Sequence, residues 1–389
     1  ERGKGNMQIK SVAVLGAGAV GSYVIWGLSS RKDIRLAVIA EGPRAERLKQ
    51  QGITINGTTY RPQVWTPQEA NGVDLLVVAL KYGALPGALD SIAAAVGPNT
   101  TVMSLMNGAR VAISGQAGGI AEAAFRAARQ YASERRQFKK TIDQFPAIYE
   151  MLASMKVRVA ASRALLYETT RAVDLRNAYT ELVETKENPT AEERQLQKYY
   201  NKVAAVLTPM CKAQATEYAN SVAYDAIQIH GGTGFMKDFN AERFYRDARI
   251  TNIYEGTTQL QVVAAIGGVM QRDNDVRIKE LAGLEYNGRL SRLRDTLMSL
   301  YEKQLEAVKF VADKKDQAYH DLMARNLVEM ETYVFVGLLL VRDAARCGDR
   351  EAIAERYVLD AVSEFQKRFM RVMSGDVTLI DNNRDIIDY

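Results

Sequence analysis

Residues 101–116, TVMSLMNGARVAISGQ, divide the sequence into two parts of different character. Before this stretch, short apolar runs alternate with helical segments, and five of the eight prolines occur there. Charged residues number 15 in residues 7–107 but 79 in residues 108–389. No proline follows Pro209, which is typical of long helices. The dividing stretch contains no Pro-rich or Ser-rich spacer, so we expect no flexible linker between the two parts.

Residues 7–107 are predicted to form a parallel α/β sheet of Rossmann type. The apolar runs are continuous, as in strands that are buried on both faces, and helical segments separate some of them. The predicted strands are Val12–Leu15, Leu36–Ile39, Leu75–Ala79 and Val102–Leu105, and the predicted helices are Val20–Ser30, Ala45–Gln51 and Leu85–Val96. An Asn-Gly pair within Ile55–Tyr60 indicates an additional hairpin.

A glycine motif follows the first predicted strand, in VAVLGAGAVGSY (residues 12–23). Gly16, Gly18 and Gly21 have GxGxxG spacing between a strand and a helix, the context that dinucleotide binding requires. Gly16 permits a tight turn, Gly18 lets a pyrophosphate approach the backbone, and Gly21 lets the helix pack on the strand. We therefore predict that NAD or NADP binds at this turn.

The end of the second predicted strand bears on which nicotinamide nucleotide binds. Glu41 has the position of an acid that would accept a hydrogen bond from the ribose 2′-hydroxyl of NAD. Arg44 and Arg47 follow closely, and a guanidinium group suits the 2′-phosphate of NADP. The sequence leaves both cofactors open.

Three segments of this part, VAVLGAGAVGSYV, ALKYGALPGAL and TVMSLMNG, resemble the N-terminal domain of ketopantoate reductases (2-dehydropantoate 2-reductases) over residues 7–108. The resemblance implies that Lys81 lies near the cofactor and that Asn107 lies beside the nicotinamide and a 2-keto acid substrate. Taken alone, Lys81 would be a surface lysine and Asn107 the first residue of a turn. The family often has an arginine where this chain has Glu41, and its helical catalytic domain is not recognisable in the sequence.

Residues 108–389 are predicted to be all helical. Apolar residues recur there at steps of three and four, which is the pattern of one helix face. Predicted helical runs are Ile113–Tyr131, Leu290–Val311, Leu327–Arg346 and Arg350–Met373. Gly348 is predicted to cap the helix that ends at Arg346. We predict a helical bundle at residues 108–270 and a further C-terminal helical domain at residues 271–389.

Four motifs of the helical part resemble the C-terminal helical domain of acyl-CoA dehydrogenases over residues 107–266. They are YASERRQF (131–138), QIHGGTGF (228–235), ERFYRDARI (242–250) and IYEGTTQLQ (253–261). Residues 271–389 resemble the extra helical domain of some larger members of that family, and we interpret them as a packing or dimerisation bundle. The resemblance implies an oxidoreductase that binds FAD and an acyl-CoA and forms a homo-oligomer through its helical part.

The same resemblance implies a set of site residues. An acyl-CoA dehydrogenase removes the α-proton of a thioester with a carboxylate base while the β-hydride goes to the flavin, and Glu255 of YEGT matches that base. Arg110 matches an arginine near the active site. The implied flavin contacts are Arg135, which acts across a subunit interface, and Gln228, Gly231, Gly232, Thr257 and Gln259. The family usually has a glycine where this chain has Lys139.

Bulk composition argues against several other classes of function. The chain has 51 Lys and Arg residues against 46 Asp and Glu residues, which gives no case for binding nucleic acid or a membrane. The two histidines and two widely spaced cysteines match no metal site. We expect Cys211 and Cys347 to be buried free thiols of a cytoplasmic protein. No apolar run is long enough to span a bilayer.

Three functions stay open at this point. The main hypothesis is α,β-dehydrogenation of an acyl-CoA with FAD in an incomplete site, because the family's N-terminal helical and middle β domains are not recognisable in the sequence. The second is a NAD(P)H-dependent reductase of ketopantoate reductase type without its usual catalytic domain. The third is a non-catalytic mosaic or helical scaffold, formed by a crossover at Met106–Gly108, which fits both resemblances.

Overall fold

The computed structural model describes residues 9–55, 57–80, 86–98, 100–104 and 110–388. Backbone contacts divide the chain into two compact units, unit 1 (Glu1–Ala109) and unit 2 (Arg110–Tyr389). Unit 1 contains a five-stranded parallel sheet, and the described residues of unit 2 are mostly helical. The predicted fold class, a Rossmann-like sheet followed by helical bundles, is confirmed.

Five strands of unit 1 form a parallel sheet with the first strand at its centre, and two more form a separate antiparallel hairpin. The described residues contain β1 (Ser11–Leu15), β2 (Arg35–Ile39), β3 (Ile53–Ile55), β4 (Thr58–Tyr60), β5 (Gln63–Trp65), β6 (Leu75–Val78) and β7 (Thr101–Ser104). The sheet has the order β5-β2-β1-β6-β7. Strands β3 and β4 form the predicted hairpin, with Gly57 at φ +80 in its turn. Strand β5 is not predicted from the sequence, because three residues are too few to show a pattern.

The central strands β1 and β6 of the parallel sheet are buried on both faces, as the continuous apolar runs predict. The helices of unit 1 are α1 (Ala19–Leu28), α2 (Gly42–Gln51) and α3 (Leu89–Ala95). Successive residues of β1 point to opposite faces. Val14 shares a cluster with Ile25 of α1, whereas Ala13 shares a cluster with Ala95 of α3. This packing fixes the end of β1 against the start of α1, where the glycine motif lies.

Unit 2 is built from long helices that pack along small residues. Its helices are α4 (Arg110–Glu134), α5 (Pro146–Thr185), α6 (Ala191–His230), α7 (Gly232–Phe235), α8 (Ala241–Thr251), α9 (Thr258–Gln271), α10 (Asp275–Ala282), α11 (Gly288–Lys314), α12 (Gln317–Arg346), α13 (Glu351–Met373), α14 (Thr378–Asp381) and α15 (Asn383–Ile387). The buried face of α4 includes Ala117, Ala124 and Ala128, which pack with residues of α5 and α6. Alanine on this face lets the three helices approach closely.

One short hairpin interrupts the helices, between β8 (Arg136–Gln137) and β9 (Lys140–Thr141). Its two turn residues both have positive φ, +46 at Phe138 and +72 at Lys139. A two-residue turn of this kind favours glycine or asparagine. The backbone therefore explains why glycine suits the position of Lys139, and it shows that the lysine is held in an unfavourable conformation.

A buried carboxylate on α5 joins helices from both predicted parts of unit 2. Glu168 is 2% exposed and accepts hydrogen bonds of 2.8 Å from Arg171, from Arg277 of α10 and from Arg342 of α12. Burial by itself would raise the pKa of Glu168, but Arg277 and Arg171 outweigh it and hold the pKa at about 2. One hydrophobic core also runs through α5, α6 and α9 to α13. A domain boundary at residue 270 stays a prediction.

Two smaller predictions about α12 and the cysteines are wrong. Cys211 is buried, but Cys347 is exposed. Gly348 does not cap α12, since the cap residue is Cys347 in an extended conformation and Gly348 begins a short 3₁₀ turn.

The described residues meet the requirements of neither a membrane-spanning helix nor a metal site. None of their helices is long and apolar enough to cross a membrane. They contain no group of three or more His, Cys, Asp or Glu side chains that could hold a metal ion.

Candidate functional site

The glycine motif of unit 1 forms the turn between β1 and α1. Gly16 has φ +102, in the region that favours glycine, and a Cβ there would lie 2.6 Å from the carbonyl oxygen of Ala79. A Cβ at Gly21 would lie 1.8 Å from the carbonyl oxygen of Gly16. Helix α1 can pack against this turn only because residue 21 is a glycine. Both glycines are therefore required by the fold itself.

Gly18 differs from the other two glycines of the motif. It is the N-cap of α1 at φ −82, and a Cβ there would meet no described atom within 4 Å. The fold therefore does not require glycine at this position, whereas approach of a pyrophosphate to the helix N-terminus does. The turn lies where the sheet order reverses between β2 and β6, the place at which such sheets bind nucleotides.

The residues predicted to distinguish NAD from NADP lie at the start of α2. Glu41, Arg44 and Arg47 are all exposed, and their side chains form no hydrogen bond or ion pair within the part of the chain that the structure describes. They are therefore available to a ribose hydroxyl or a phosphate. Lys81 and Asn107 lie outside the described residues.

In unit 2, the YEGT motif lies in the loop between α8 and α9. Glu255 has φ +55 and Gly256 has φ +93, so two successive residues adopt left-handed conformations and only the second is a glycine. This conformation costs a residue with a side chain about 1 to 2 kcal/mol. Surrounding contacts must therefore hold Glu255 in place.

Two side chains from the interior of unit 2 hold the backbone of this loop. Nε2 of Gln261 donates to the carbonyl oxygens of Glu255 (3.1 Å) and Gly256 (2.9 Å). Nζ of Lys212 donates to the same Gly256 oxygen at 2.6 Å. Lys212 lies on α6 and is 0% exposed. The two carbonyl groups thus point inward, toward α6 and α9.

Both ends of the loop are also fixed to neighbouring helices. Oε1 of Glu217, on α6, accepts hydrogen bonds from Thr258 Oγ1 at 2.5 Å and Asn252 Nδ2 at 3.2 Å. The hydroxyl of Tyr254 donates to Oε1 of Gln116 on α4. The loop is therefore attached to three helices.

The charged groups around the loop include one carboxylate and one guanidinium group that have no partner among the described residues. Glu255 and Arg110 are half-buried, and their side chains form no hydrogen bond or ion pair with any described residue. Both lie close enough to influence the Lys212 ammonium: burial lowers the pKa of Lys212 to about 8, Arg110 acts in the same direction, and Glu255 and Glu217 oppose it. The arrangement offers a carboxylate that is free to accept a proton, beside two cations.

Another group of predicted flavin contacts lies at the far end of α4. The ring of Tyr131 stacks on His230, the last residue of α6, with the ring centroids 4.4 Å apart. Oγ1 of Thr233 also donates to the Tyr131 hydroxyl at 3.3 Å. Arg135, Gln228, Gly231 and Gly232 lie within four positions of Tyr131 or His230 in the chain, so they belong to the same end of α4.

This second group is accessible to a phosphate-bearing cofactor. The side chains of Arg135 and Gln228 are exposed and have no partner among the described residues. Gly231 has φ +62, and a Cβ at Gly231 or Gly232 would meet no described atom within 4 Å. A free guanidinium beside approachable backbone fits the diphosphate of FAD.

The structure does not bring the two groups together within one chain. Gln116, which contacts the Glu255 loop, precedes Tyr131 by fifteen positions on α4, and a helix of that length spans about 22 Å. Thr257 and Gln259 belong to the first group. The hydroxyl of Thr257 caps α9 by accepting from Leu260 N–H at 3.4 Å, and Gln259 is exposed.

Sequence reasoning misses the residues that hold the Glu255 loop, namely Lys212, Gln261 and Glu217. Gln261 ends the IYEGTTQLQ motif but is not assigned a role there, and Lys212 gives a separate signal, since it follows PMC and lies on a helix face that is otherwise apolar or small. Lysine is rarely buried in such a place without a polar partner.

Comparison with protein-family models covers most of the chain. The model for ketopantoate reductase PanE/ApbA matches residues 12–118. Two models for C-terminal domains of acyl-CoA dehydrogenases match residues 99–266 and residues 274–377. The chain thus joins segments that are similar to two enzyme families. The matches overlap at residues 99–118, around the short sequence that fits both resemblances.

Curated relatives match through the helical part. The caffeyl-CoA reductase–Etf complex subunit CarC of Acetobacterium woodii is 32% identical over 44% of this chain and 39% of its own length. Acryloyl-CoA reductase (NADH) of Anaerotignum propionicum is 37% identical over 44% of this chain and 37% of its own length. The short-chain specific acyl-CoA dehydrogenase of Clostridium acetobutylicum is 33% identical over 43% of this chain and 38% of its own length. The chain thus spans less than two fifths of the length of these relatives.

Solved structures share the fold of the helical part. An acyl-CoA dehydrogenase of Bacillus anthracis, complexed with FAD, superposes with a TM-score of 0.55 at 21% identity, over 68% of this chain and 48% of that chain. ACDH-11 of Caenorhabditis elegans, in complex with C11-CoA, gives a TM-score of 0.56 at 22% identity, over 64% and 42%. At these sequence identities the superpositions establish a shared fold only.

Proposed function

We propose that unit 2 carries the proton-abstracting site of an acyl-CoA dehydrogenase-type oxidoreductase, which introduces a double bond between the α and β carbons of an acyl-CoA thioester. The observation that carries the proposal is the Glu255 carboxylate, which has no partner among the described residues and stands on a backbone held by Lys212 and Gln261; Glu255 and Arg110 both act on the charge of Lys212. The matched C-terminal domain models and the relatives named as acyl-CoA dehydrogenases and reductases support it.

In this function Glu255 accepts the α-proton of the thioester. The fixed loop keeps the carboxylate in one position, which lowers the entropic cost of reaching the reactive geometry. The unpaired cation of Arg110 attracts negative charge to the same place. FAD, when bound, supplies the acceptor for the hydride from the β-carbon, and Thr257 and Gln259 are the proposed contacts to its nucleotide.

The proposal includes a second copy of the chain. Arg135, Gln228, Gly231 and Gly232 lie at the opposite end of α4 from Glu255, so one copy does not place them on the same cofactor. We therefore propose that each flavin site takes its guanidinium and glycine turn from a neighbouring copy, which makes the protein a homo-oligomer through its helical part.

Replacement of the proposed base tests this function. The full chain is loaded with FAD, and turnover of butyryl-CoA is followed with an artificial electron acceptor. Glu255→Gln keeps the size of the side chain but cannot accept a proton, so we expect turnover to fall by about 100-fold or more. The control is Glu242→Gln, in the first turn of α8, where the half-buried side chain forms no hydrogen bond or ion pair with a described residue, and it should leave turnover unchanged. Wild-type turnover in Glu255→Gln would remove Glu255 as the base.

Unit 1 carries a second proposed function, the binding of NADP or NAD. The observation that favours it is Gly18, where no described atom requires a glycine although the position caps α1. By the resemblance to ketopantoate reductases, a reductase acting on a 2-keto acid would follow, with Lys81 and Asn107 near the nicotinamide. This binding function is independent of the flavin site in unit 2.

Titration with NADPH and with NADH tests the second function. Gly18→Asp places a negative charge where the pyrophosphate would approach, and we expect it to weaken binding by about 100-fold or more. Gly27→Asp adds the same charge to the same helix at an exposed position with open space, and it should bind like the wild type. Absence of binding of either nucleotide to the wild type would contradict the proposal. A chain that binds neither flavin nor nicotinamide would instead be a non-catalytic scaffold.

A further inference from the structure

We propose that Lys212 is a positioning residue for Glu255, whose buried ammonium acts with the Gln261 amide to hold the Glu255–Gly256 backbone in the one conformation that leaves the carboxylate free. The inference rests on the proposed function in taking Glu255 as the reactive group. The contacts themselves and their test do not depend on flavin or acyl-CoA binding.

The surroundings of Lys212 show that its charge is directed at the loop. Nζ donates to the Gly256 carbonyl oxygen at 2.6 Å, and the side chain is 0% exposed. The charged groups that act on Lys212 are Arg110 on α4, Glu217 on α6 and Glu255 in the loop, whereas α9 contributes the neutral Gln261. No ion pair with a described residue neutralises the ammonium.

Packing alone does not account for a lysine at this place. Burial of an ammonium group is costly unless strong partners replace its water. A methionine would fill nearly the same volume without that cost. The partner that Lys212 does have is the carbonyl group of Gly256, so this charge-assisted hydrogen bond stabilises the loop.

The hydrogen bonds from Lys212 and Gln261 stabilise the strained backbone at Glu255. With Lys212 and Gln261 both donating, the Gly256 oxygen has two donors, which uses both of its lone pairs. Loss of the ammonium leaves only the amide of Gln261, which is already shared between two carbonyl groups. The strained φ of +55 at Glu255 would then relax, and the carboxylate would leave its position.

Hydrogen–deuterium exchange of the full chain tests the proposal without any ligand. In Lys212→Met we expect the amides of residues 252–258 to exchange about tenfold faster or more, while α6 and α9 keep their protection. The matched control is Lys202→Met, on the same helix, where an exposed lysine pairs with Asp273 at 2.9 Å. In this control the amides of residues 252–258 should exchange at the wild-type rate. Lys212→Arg, which keeps a charged donor, should retain loop protection within about threefold of the wild type.

Several results would overturn this role. Wild-type loop protection in Lys212→Met would show that the ammonium does not hold the loop. Faster exchange spread over all of unit 2 would make Lys212 a general structural residue. If Lys212→Met does not fold, Gln261→Met removes the other donor, and the same criteria apply: loop-specific loss of protection supports the shared hold, and no loss or a global loss contradicts it.

A kinetic measurement separates this inference from the proposed function. In the FAD-loaded enzyme, a positioning role predicts that Lys212→Met lowers kcat by about tenfold or more and leaves KM for butyryl-CoA within about twofold. A change confined to KM would contradict positioning. If the wild type neither binds FAD nor turns over, the proposed function fails, and the exchange experiment still decides whether Lys212 holds the loop.

Discussion

The turn after β1 in unit 1 and the loop before α9 in unit 2 both contain a left-handed residue, but for different reasons. In unit 1 that residue is Gly16, which adopts φ +102 without strain, and the neighbouring helix fits because residue 21 is also a glycine. In unit 2 the residue is Glu255 at φ +55, and it is held by Lys212 and Gln261 from two separate helices. The first conformation is local, whereas the second depends on tertiary packing.

This difference determines what each loop is sensitive to. The turn of unit 1 should keep its conformation when residues elsewhere are substituted and lose it when its own glycines are replaced. The loop of unit 2 should lose its conformation when α6 and α9, which carry Lys212 and Gln261, move apart. Both tryptophans, Trp26 and Trp65, lie in unit 1, so tryptophan fluorescence reports on unit 1, and helical circular dichroism reports mainly on unit 2.

The largest expected effect concerns the helix packing of unit 2. Glu168→Gln leaves Arg171, Arg277 and Arg342 around an uncharged group, and breaking such a buried ion cluster should cost about 4 kcal/mol of the free energy of unfolding. Denaturation followed by circular dichroism measures the loss, and tryptophan fluorescence should show unit 1 unchanged. Glu181→Gln, exposed on the same helix, is the control and should match the wild type.

The pKa of Glu168 also predicts a pH dependence for unit 2. Its folded value of about 2 lies below the ordinary 4.5, so the folded state favours the ionised form. The stabilisation is therefore fully present above about pH 5 and is lost as the pH falls toward 2. Acid denaturation curves of wild type and Glu168→Gln should converge in this range, and parallel curves would contradict the assignment.

The next largest effect concerns the local turn of unit 1. A methyl group at residue 21 would lie 1.8 Å from the Gly16 oxygen, so Gly21→Ala should destabilise unit 1 by about 3 kcal/mol and abolish nicotinamide binding. Gly27→Ala adds the same methyl group to the same helix in open space, and it should be neutral or stabilising. Tryptophan fluorescence measures both variants, and equal stability of the two would refute the local account.

A smaller effect is expected at the start of α10, which is held to α12. Glu331 is 4% exposed and accepts a 2.8 Å hydrogen bond from Asn274. Burial raises its pKa to about 7 from 4.5, although the Asn274 hydrogen bond opposes this. The folded state therefore binds an extra proton between these values, and unit 2 loses stability as the pH rises from about 4.5 through about 7.

Replacement of the Glu331 carboxyl group should remove the loss of stability that unit 2 shows as the pH rises. The shift in the pKa of Glu331 corresponds to about 3 kcal/mol, and Glu331→Gln should recover about 2 kcal/mol of it near pH 8, because the amide brings its own buried donors. Near pH 4.5 the variant should show no gain. The control is Glu306→Gln, exposed on α11. A gain of equal size at both pH values would contradict titration of Glu331 as the cause.

The smallest effect sharpens the comparison at a strained residue whose backbone is held locally, by a 2.7 Å hydrogen bond from Arg136 to the Lys139 carbonyl oxygen. Lys139 is exposed and has φ +72 in the turn between β8 and β9. Lys139→Gly should stabilise unit 2 by about 1 kcal/mol by removing this strain. Lys140→Gly, in the adjoining strand, should instead be destabilising. Thermal melts followed by circular dichroism decide, and a loss of stability in Lys139→Gly would show that its conformation is not strained.

Much of the fold follows from patterns that lie close together in the chain. The buried strand around Val14 and the glycines at 16 and 21 are predictable, because their apolar runs and fixed spacing reflect local backbone requirements. Strand β5 is too short to be predicted. The left-handed conformation of Lys139 is also hidden, since a lysine carries no turn signal.

The candidate site is predictable only where a motif marks it. Glu255 and Arg135 are found through the family motifs, but the motifs do not show that Gln261 holds the Glu255 loop, and Lys212 and Glu217 lie outside them. Lys212 precedes Gly256 by 44 positions, and only the packing of α6 against the loop brings the two together. The placement of Arg135 at the opposite end of α4 from Glu255 likewise follows from helix length and contacts, and no motif records it.

Anaerobic addition of butyryl-CoA to the FAD-loaded full chain tests the central claim most directly, because reduction of the flavin removes its visible absorbance within a single turnover. We predict that the absorbance is lost in the wild type and in Glu242→Gln but persists in Glu255→Gln, which binds the same flavin and lacks only the proton acceptor. A wild-type protein that binds FAD and keeps its absorbance after butyryl-CoA is added would contradict the account, and so would equal loss of absorbance in Glu255→Gln.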